Sequence, residues 1–170
     1  PLLFEPLIEH FGTDRTTVNY LPGAAAGLGL VIAPLAGPYV DRWSARGLML
    51  IGTAALVLGL LAMSVVENLV LFVGLTALLF SIANTLLGPM TGSGVVARWF
   101  AASRGRALGI AAIGTSVGGI LLPLGIGGIL PLIGWQASLQ ILAGIVAVVA
   151  FPLLLLRFWD RPDDLGLTAE

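Results

Sequence analysis

The sequence predicts an all-α, polytopic transmembrane helix bundle, and three observations carry that prediction. Residues 107–156 are fifty consecutive positions without a charged side chain. One membrane crossing takes roughly 20 apolar residues, so this run holds two crossings and a turn. Charged residues are 10% of the chain and hydrophobic ones 58%, with a mean hydropathy of +1.03; an average soluble domain is roughly 25% charged. The 23 Gly and 10 Pro also suit membrane helices, where both residues are commoner than in soluble ones.

The charges punctuate the chain and define its elements in order. Residues 1–8 read as a partial span, the end of a helix whose beginning is missing. The chain opens on Pro1 inside an apolar stretch, without the basic flank and cleavage site of a signal peptide. Residues 9–15 form a polar loop, and 16–40 an uncharged span. A short polar turn over 41–46 leads to a span at 48–66. Glu67-Asn68 is a tight turn before a long span at 69–97, which is broken by Gly88-Pro89. After a basic loop at 98–106 come spans at 107–131 and 136–156, with the turn between them. The bundle thus covers 1–156, and 157–170 is a polar tail.

Orientation follows from arginine. All eight basic residues are Arg, and if the spans alternate, Arg42, Arg46, Arg98, Arg104, Arg106, Arg157 and Arg161 share one side. Only Arg15 faces the other. By the positive-inside rule the Arg-rich loops and the tail are cytoplasmic, in a plasma (inner) membrane. The 9–15 loop, the Glu67 turn and the Gly134 turn face out.

Composition also excludes functions. A net charge of −1 offers no basic surface for nucleic acid. With no Cys there are no disulfides or thiolate metal sites. The single His10, in the outer loop and expected to be solvated there, leaves no paired-His metalloprotease and no reachable Ser-His pair. No enzyme activity, metal or cofactor is expected. Ala33/Gly37, Gly88/Gly92 and Gly114/Gly118 lie four apart, and such small-residue faces are expected to let helices approach closely in lipid.

Two cytoplasmic loops carry a family resemblance. The first runs Gly37-Pro38-Tyr39-Val40-Asp41-Arg42-Trp43-Ser44-Ala45-Arg46. It resembles the signature loop of the major facilitator superfamily at Gly37, Asp41, Arg42 and Arg46. Ser44 stands where that family usually has Gly, and Ala45 where it often has a basic residue. The second, from Ala97-Arg98-Trp99-Phe100 through Arg104-Gly105-Arg106 to Gly114-Thr115-Ser116-Val117-Gly118, resembles the loop and fifth helix of the monocarboxylate-transporter-like, oxalate-formate-antiporter-like branch. Residues 6–16 resemble that branch's first outer loop, with Thr13-Asp14 in place of Trp-Ser. Residues 161–167 resemble its exit from the sixth helix. The resemblance covers essentially the whole chain and implies the N-terminal six-helix half of a major facilitator fold, with helix 1 truncated. That is about half of the family's usual protein, so the tail would lead into the central loop.

The resemblance further implies that Gly37, Asp41, Arg42 and Arg46 form a cytoplasmic gating loop that clamps the two halves; the alternative is that these charges only set topology. Glu5 is the one carboxylate that falls within a span, and an intramembrane ionisable group is a functional candidate, although it lies close enough to the outer loop to snorkel to water. Asn84 and Thr85 sit mid-span beside the Gly88-Pro89 break, Thr115 and Ser116 in the fifth span, and Tyr20 near the outer end of the second. These are cavity-lining candidates, because transporter sites form near broken helices at the midplane; the plainer alternatives are bonding of the hydroxyls to their own i−4 carbonyls, a bond from Asn84 to a neighbouring helix and a seat for Tyr20 in the interfacial belt.

The function expected is secondary transport of a small organic solute, with a carboxylate favoured, by alternating access. Its partners are the lipid bilayer, the solute with or without a coupled ion or proton, and the C-terminal half of the same protein. The span around Asn84 lacks the Arg, and Gly114-Thr115 is not the Gly-Pro pair, of the superfamily's proton-coupled drug antiporters. The alternative is a non-transporting membrane scaffold or sensor built on the same fold.

Overall fold

The computed structural model describes residues 3–100 and 102–159, apart from the side chains of residues 38–42, 90 and 157. The elements follow as α1 (Phe4–Phe11), α2 (Arg15–Arg42), α3 (Ala45–Val65), α4 (Leu69–Leu87), α5 (Pro89–Trp99) and α6 (Arg104–Pro152), closed by a π-helical turn, Leu153–Arg157. No strand occurs among the described residues. The all-α bundle expected from the apolar runs is what forms. Four stretches among the described residues are long and apolar enough to cross a membrane: Arg15–Gly37, Ala45–Val65, Leu69–Trp99 and Arg104–Leu156.

Local chemistry sets the helix ends. Gly12 closes α1 in the left-handed region, φ 57°, where a residue with a Cβ is strained. Ser44 caps α3 by accepting from the Gly47 N–H at 3.0 Å. Asn68 caps α4, its Oδ1 accepting from Val70 N at 3.0 Å and Leu71 N at 3.1 Å. The serine at 44 therefore has its own use: its extended backbone asks for no glycine, and its hydroxyl satisfies an otherwise orphaned donor.

Asp14 caps α2 in the same way, accepting from Thr17 N at 3.1 Å and Thr17 Oγ1 at 2.6 Å. These bonds favour the carboxylate and hold its pKa below the usual carboxylate range. A depressed folded pKa adds stability that is complete above the unfolded value and is lost as pH falls through the folded one. Protection of the Thr17 amide, taken relative to its intrinsic exchange rate at each pH, is therefore expected to fall on acidification below about pH 4, and Asp14→Asn is expected to abolish that acid dependence while keeping a cap.

A straight helix of 53 residues would be about 80 Å long, more than twice the hydrocarbon thickness. α6 instead leaves helical geometry at Gly134, φ 80° and ψ 169°. Its second arm, 135–152, runs antiparallel along α3. At one end Gln140 Nε2 donates to Ser64 Oγ at 3.3 Å. At the other the Arg46 guanidinium donates to the Leu155 carbonyl.

The tightest packing is between α3 and α4, with α2 against α4 and α3 against α6 beside it. A Cβ built on Gly52 would lie 2.9 Å from Leu87 Cγ and 3.0 Å from Leu86 Cβ; one on Gly59 would lie 3.0 Å from Phe80 Cε2. These two glycines, seven residues apart and so on one face, let the helices meet. The expectation that Gly37, Gly92, Gly114 and Gly118 serve close packing does not hold among the described residues, none of which lies within 4 Å of a Cβ built on any of them. Spacing marks a common face, but not whether a neighbour occupies it.

The buried apolar cluster draws on Leu7, Val18, Leu60, Phe72, Trp135 and Leu139, and so ties α1 to the start of α6's second arm. His10 belongs to this end of the bundle. It lies in the last turn of α1 rather than in a loop, with its ring edge-on to Trp135 at 5.2 Å between centroids. His10 is exposed, as expected, but it is neither in a loop nor alone: α1 extends to Phe11 and carries the imidazole onto the tryptophan.

Candidate functional site

A cleft of about 960 Å³ opens between α2, α3, α4, α5 and the first arm of α6. The break between α4 and α5 forms part of its wall. Pro89 has no N–H to donate and disfavours a helical residue before it, and Gly88 is accordingly extended at φ −69°, ψ −176°. The polar side chains on the wall are Asn84, Ser93 and Thr115. Asn84 lies near the middle of the 31-residue run Leu69–Trp99. Its amide makes no hydrogen bond to the described residues and is exposed to the cleft. The rest of the wall is apolar: Met49, Leu56, Phe80, Val96, Leu108 and Phe158 supply its bulk. Ala25 and Ala26, Ala111 and Ala112, and Gly92 supply small surfaces that keep it open.

The structure thus brings together two of the expected cavity residues, Asn84 and Thr115, from different helices. It places four elsewhere. Thr85 and Ser116 are one residue on from Asn84 and Thr115, a rotation of about 100° around a helix, and neither lines the cleft. The Ser116 hydroxyl donates to the Ala112 carbonyl at 3.1 Å, the i−4 alternative. Tyr20 is 70% exposed and off the cleft. Glu5 pairs with Arg15 at 3.8 Å, both well exposed, because α1 ends within two turns of it and leaves it at the rim. The cleft residues that the sequence did not single out, Ala25, Ala26, Phe80 and Phe158, are apolar and carry no chemical signature of their own.

α2 is held against α4 beside this wall by Ser81, whose hydroxyl donates to the Ala77 carbonyl at 2.6 Å and reaches the Ala25 carbonyl of α2. Other buried hydroxyls are satisfied within their own helices: Thr53 on Met49 O at 2.8 Å, Ser138 on Gly134 O at 2.7 Å. Thr91 differs. It is 2% exposed and its Oγ1 has no partner among the described residues. The reason is the break at Gly88: the carbonyl four residues back, on Leu87, belongs to α4 while Thr91 rides on α5. An unsatisfied buried hydroxyl is costly, and an isosteric apolar group removes the cost. Thr91→Val is expected to raise the thermal midpoint in detergent. Thr53→Val, which deletes a made bond, is expected to lower stability by about 1 kcal/mol. Equal losses would contradict the assignment.

At the end of the bundle that carries Arg46 and Arg98, two side chains reach across to the terminal turn and the residues just after it. Arg46 donates to the Leu155 carbonyl, and Trp99 Nε1 donates to the Trp159 carbonyl at 3.2 Å. Arg98 Nε returns to the Gly94 carbonyl of its own helix at 3.2 Å. Of the expected gating loop, Gly37 faces open space and Arg46 makes this long-range bond within the chain; the side chains of Asp41 and Arg42 lie outside the described residues. So does the polar tail from residue 160 onward.

Known proteins similar to this chain in sequence are transporters. Residues 1–170 match the family described as Major Facilitator Superfamily. The chain is 27% identical over 158 residues to an MFS-type transporter of Gibberella moniliformis, covering 91% of this chain and 38% of that protein. It is 26% identical over 145 residues to monocarboxylate transporter 11 of Mus musculus, covering 85% of this chain and 32% of the relative. It is 26% identical over 166 residues to the MFS-type transporter YcxA of Bacillus subtilis, covering 97% and 40%. The chain therefore spans well under half the length of these curated relatives. No solved structure matches it.

Proposed function

The chain belongs to the Major Facilitator Superfamily, a family of membrane transporters, and on that premise we propose that it forms the N-terminal half of a secondary transporter for a small organic solute, with carboxylates as the solute class. The observation that carries this reading is the cleft itself. It is walled by a helix broken near mid-span and offers Asn84 and Thr115 from two helices, the kind of place where transporter sites form. The carboxylate assignment draws on the resemblance to the monocarboxylate-transporter-like branch and on the similarity to proteins named for that activity.

In this reading the half rocks against a second half around the cleft, and the solute travels with or without an ion or proton. The Arg-bearing end then lies on the cytoplasmic side of the plasma membrane, and the count of seven arginines against one supports that orientation. Gly37, Asp41, Arg42 and Arg46 gate that side; the tie from Arg46 to the terminal turn shows how one of them reaches across the bundle. Glu5, Tyr20, Thr85 and Ser116 have a place in the transport cycle only through conformations or partners that bring them to the solute.

The test is uptake of labelled small carboxylates by liposomes containing the protein that carries these residues, with and without a pH gradient. Saturable uptake, lost in Asn84→Leu, supports the reading. Absence of uptake by folded protein across the series would favour the scaffold or sensor alternative instead.

A further inference from the structure

The chain leaves the second arm of α6 beside the start of the first. Trp99 Nε1, at the end of α5, donates to the Trp159 carbonyl at 3.2 Å. Phe158 lines the same cleft as Val96 and as Leu108, which is one turn on from Arg104. Arg98, Arg104 and Arg106 bring three positive charges to this junction, and the last two are exposed. α6 begins there at a disadvantage. Its N-terminus has no side-chain cap and no acidic residue in its first turn, while two arginines oppose the positive end of its dipole. Between Glu67 and Asp160 the sequence has no carboxylate at all. The described carboxylates, Glu5, Glu9, Asp14 and Glu67, belong to the other end of the bundle, and none pairs with these arginines. Asp41 shares their end and has Arg42 and Arg46 for sequence neighbours.

The next carboxylates along the chain are Asp160, Asp163 and Asp164. Asp164 and Arg104 are each five residues on from the tied tryptophans, and five residues reach up to about 18 Å. We propose that the acidic segment 160–164 docks on Arg98, Arg104 and Arg106 and straps the end of α6 to its beginning. Gly134 joins the two arms of α6 at one end of the bundle, and the strap joins them at the other. Its carboxylates supply the negative charge that the first turn of α6 lacks. Exposed pairs are individually weak, so the strap holds through several charges at once and loosens with salt.

The experiment is cross-linking of the protein that carries these residues, in phosphatidylcholine liposomes and with any other native cysteines replaced. Ser103→Cys and Leu165→Cys place thiols beside the two charge clusters, and a short, membrane-permeant bis-maleimide joins them, at a rate normalised to that of the single-cysteine proteins. Arg104→Glu with Arg106→Glu is expected to slow joining about fivefold, as a few exposed pairs allow. Adding Asp163→Arg and Asp164→Arg to that variant is expected to restore the rate. Salt at about 1 M, where screening acts within roughly 3 Å, is expected to slow the charge-intact protein to a similar degree, a result that stands even where a reversal variant fails to fold. A rate indifferent to salt and to charge reversal overturns the proposal. So does a loss that the swap fails to restore in folded protein, which assigns the arginines to another part of the molecule. Loss of joining when phosphatidylglycerol is added assigns them to anionic headgroups and overturns it too. Cross-linking needs no solute, so the transport reading stands or falls separately.

Discussion

Gly88→Ala is expected to destabilise the bundle by about 3 kcal/mol, the upper end of what overpacking usually costs. A Cβ at position 88 would stand 2.2 Å from the Asn84 carbonyl oxygen. That atom belongs to the backbone of α4 and cannot rotate away. The backbone at 88 has a negative φ, so the conflict lies in the close approach and not in a forbidden torsion. The chain can relieve it only by reopening the α4–α5 junction, which carries Asn84, Pro89, Gly92 and Ser93 on the cleft wall. Transport should therefore fall along with the thermal midpoint. Gly92→Ala is the matched control, because its Cβ meets nothing and alanine is the better helix former. Equal behaviour of the two variants would contradict this account of the break.

Gly59→Leu is expected to be the second large effect, a loss of roughly 2–3 kcal/mol. A Cβ there already lies 3.0 Å and 3.1 Å from two Phe80 ring atoms and 3.3 Å from Leu79 Cβ. The larger side chain would lever α3 away from α4. In lipid, helices hold together through close packing and hydrogen bonds rather than through hydrophobic expulsion, so a gap there has little to offset it. Phe80 also lines the cleft, so the change should reach the site as well as the midpoint. Gly74→Leu, on a face of α4 with nothing within 4 Å, should be tolerated in detergent; a comparable loss there would show that the α3–α4 seam is not what glycine at 59 protects.

Much of the architecture was legible because membrane chemistry is coarse. An uncharged run of fifty residues can hardly be anything but spanning helix, and Gly88-Pro89 and Gly134 are residues whose backbone preferences end helices. Asp14, Ser44 and Asn68 are cap types whose hydrogen bonds the structure displays. What sequence could not give was the rotation of each helix about its axis. That rotation puts Asn84 on the cleft wall and Thr85 off it, and separates Thr115 from Ser116 in the same way. Glycine spacing failed for a related reason. Spacings of four and of seven both return to one face, and only the fold shows that Gly52 and Gly59 meet a neighbour while Gly114 and Gly118 do not. The tie between Trp99 and Trp159 joins residues sixty apart and leaves no local trace.

Thiol accessibility most directly tests the proposal that the solute passes through the cleft. The 170 residues contain no Cys, so with any other native cysteines of the protein replaced, Ala112→Cys places a thiol on the cleft wall. Val148→Cys places one on the second arm of α6, where the residue is 74% exposed away from the cleft. In liposomes a membrane-impermeant thiol reagent is expected to modify Ala112→Cys, to be slowed by transported solute, and to leave Val148→Cys in lipid untouched. If Ala112→Cys proves as inert as Val148→Cys, or if solute fails to protect it, the cleft is not the transport path.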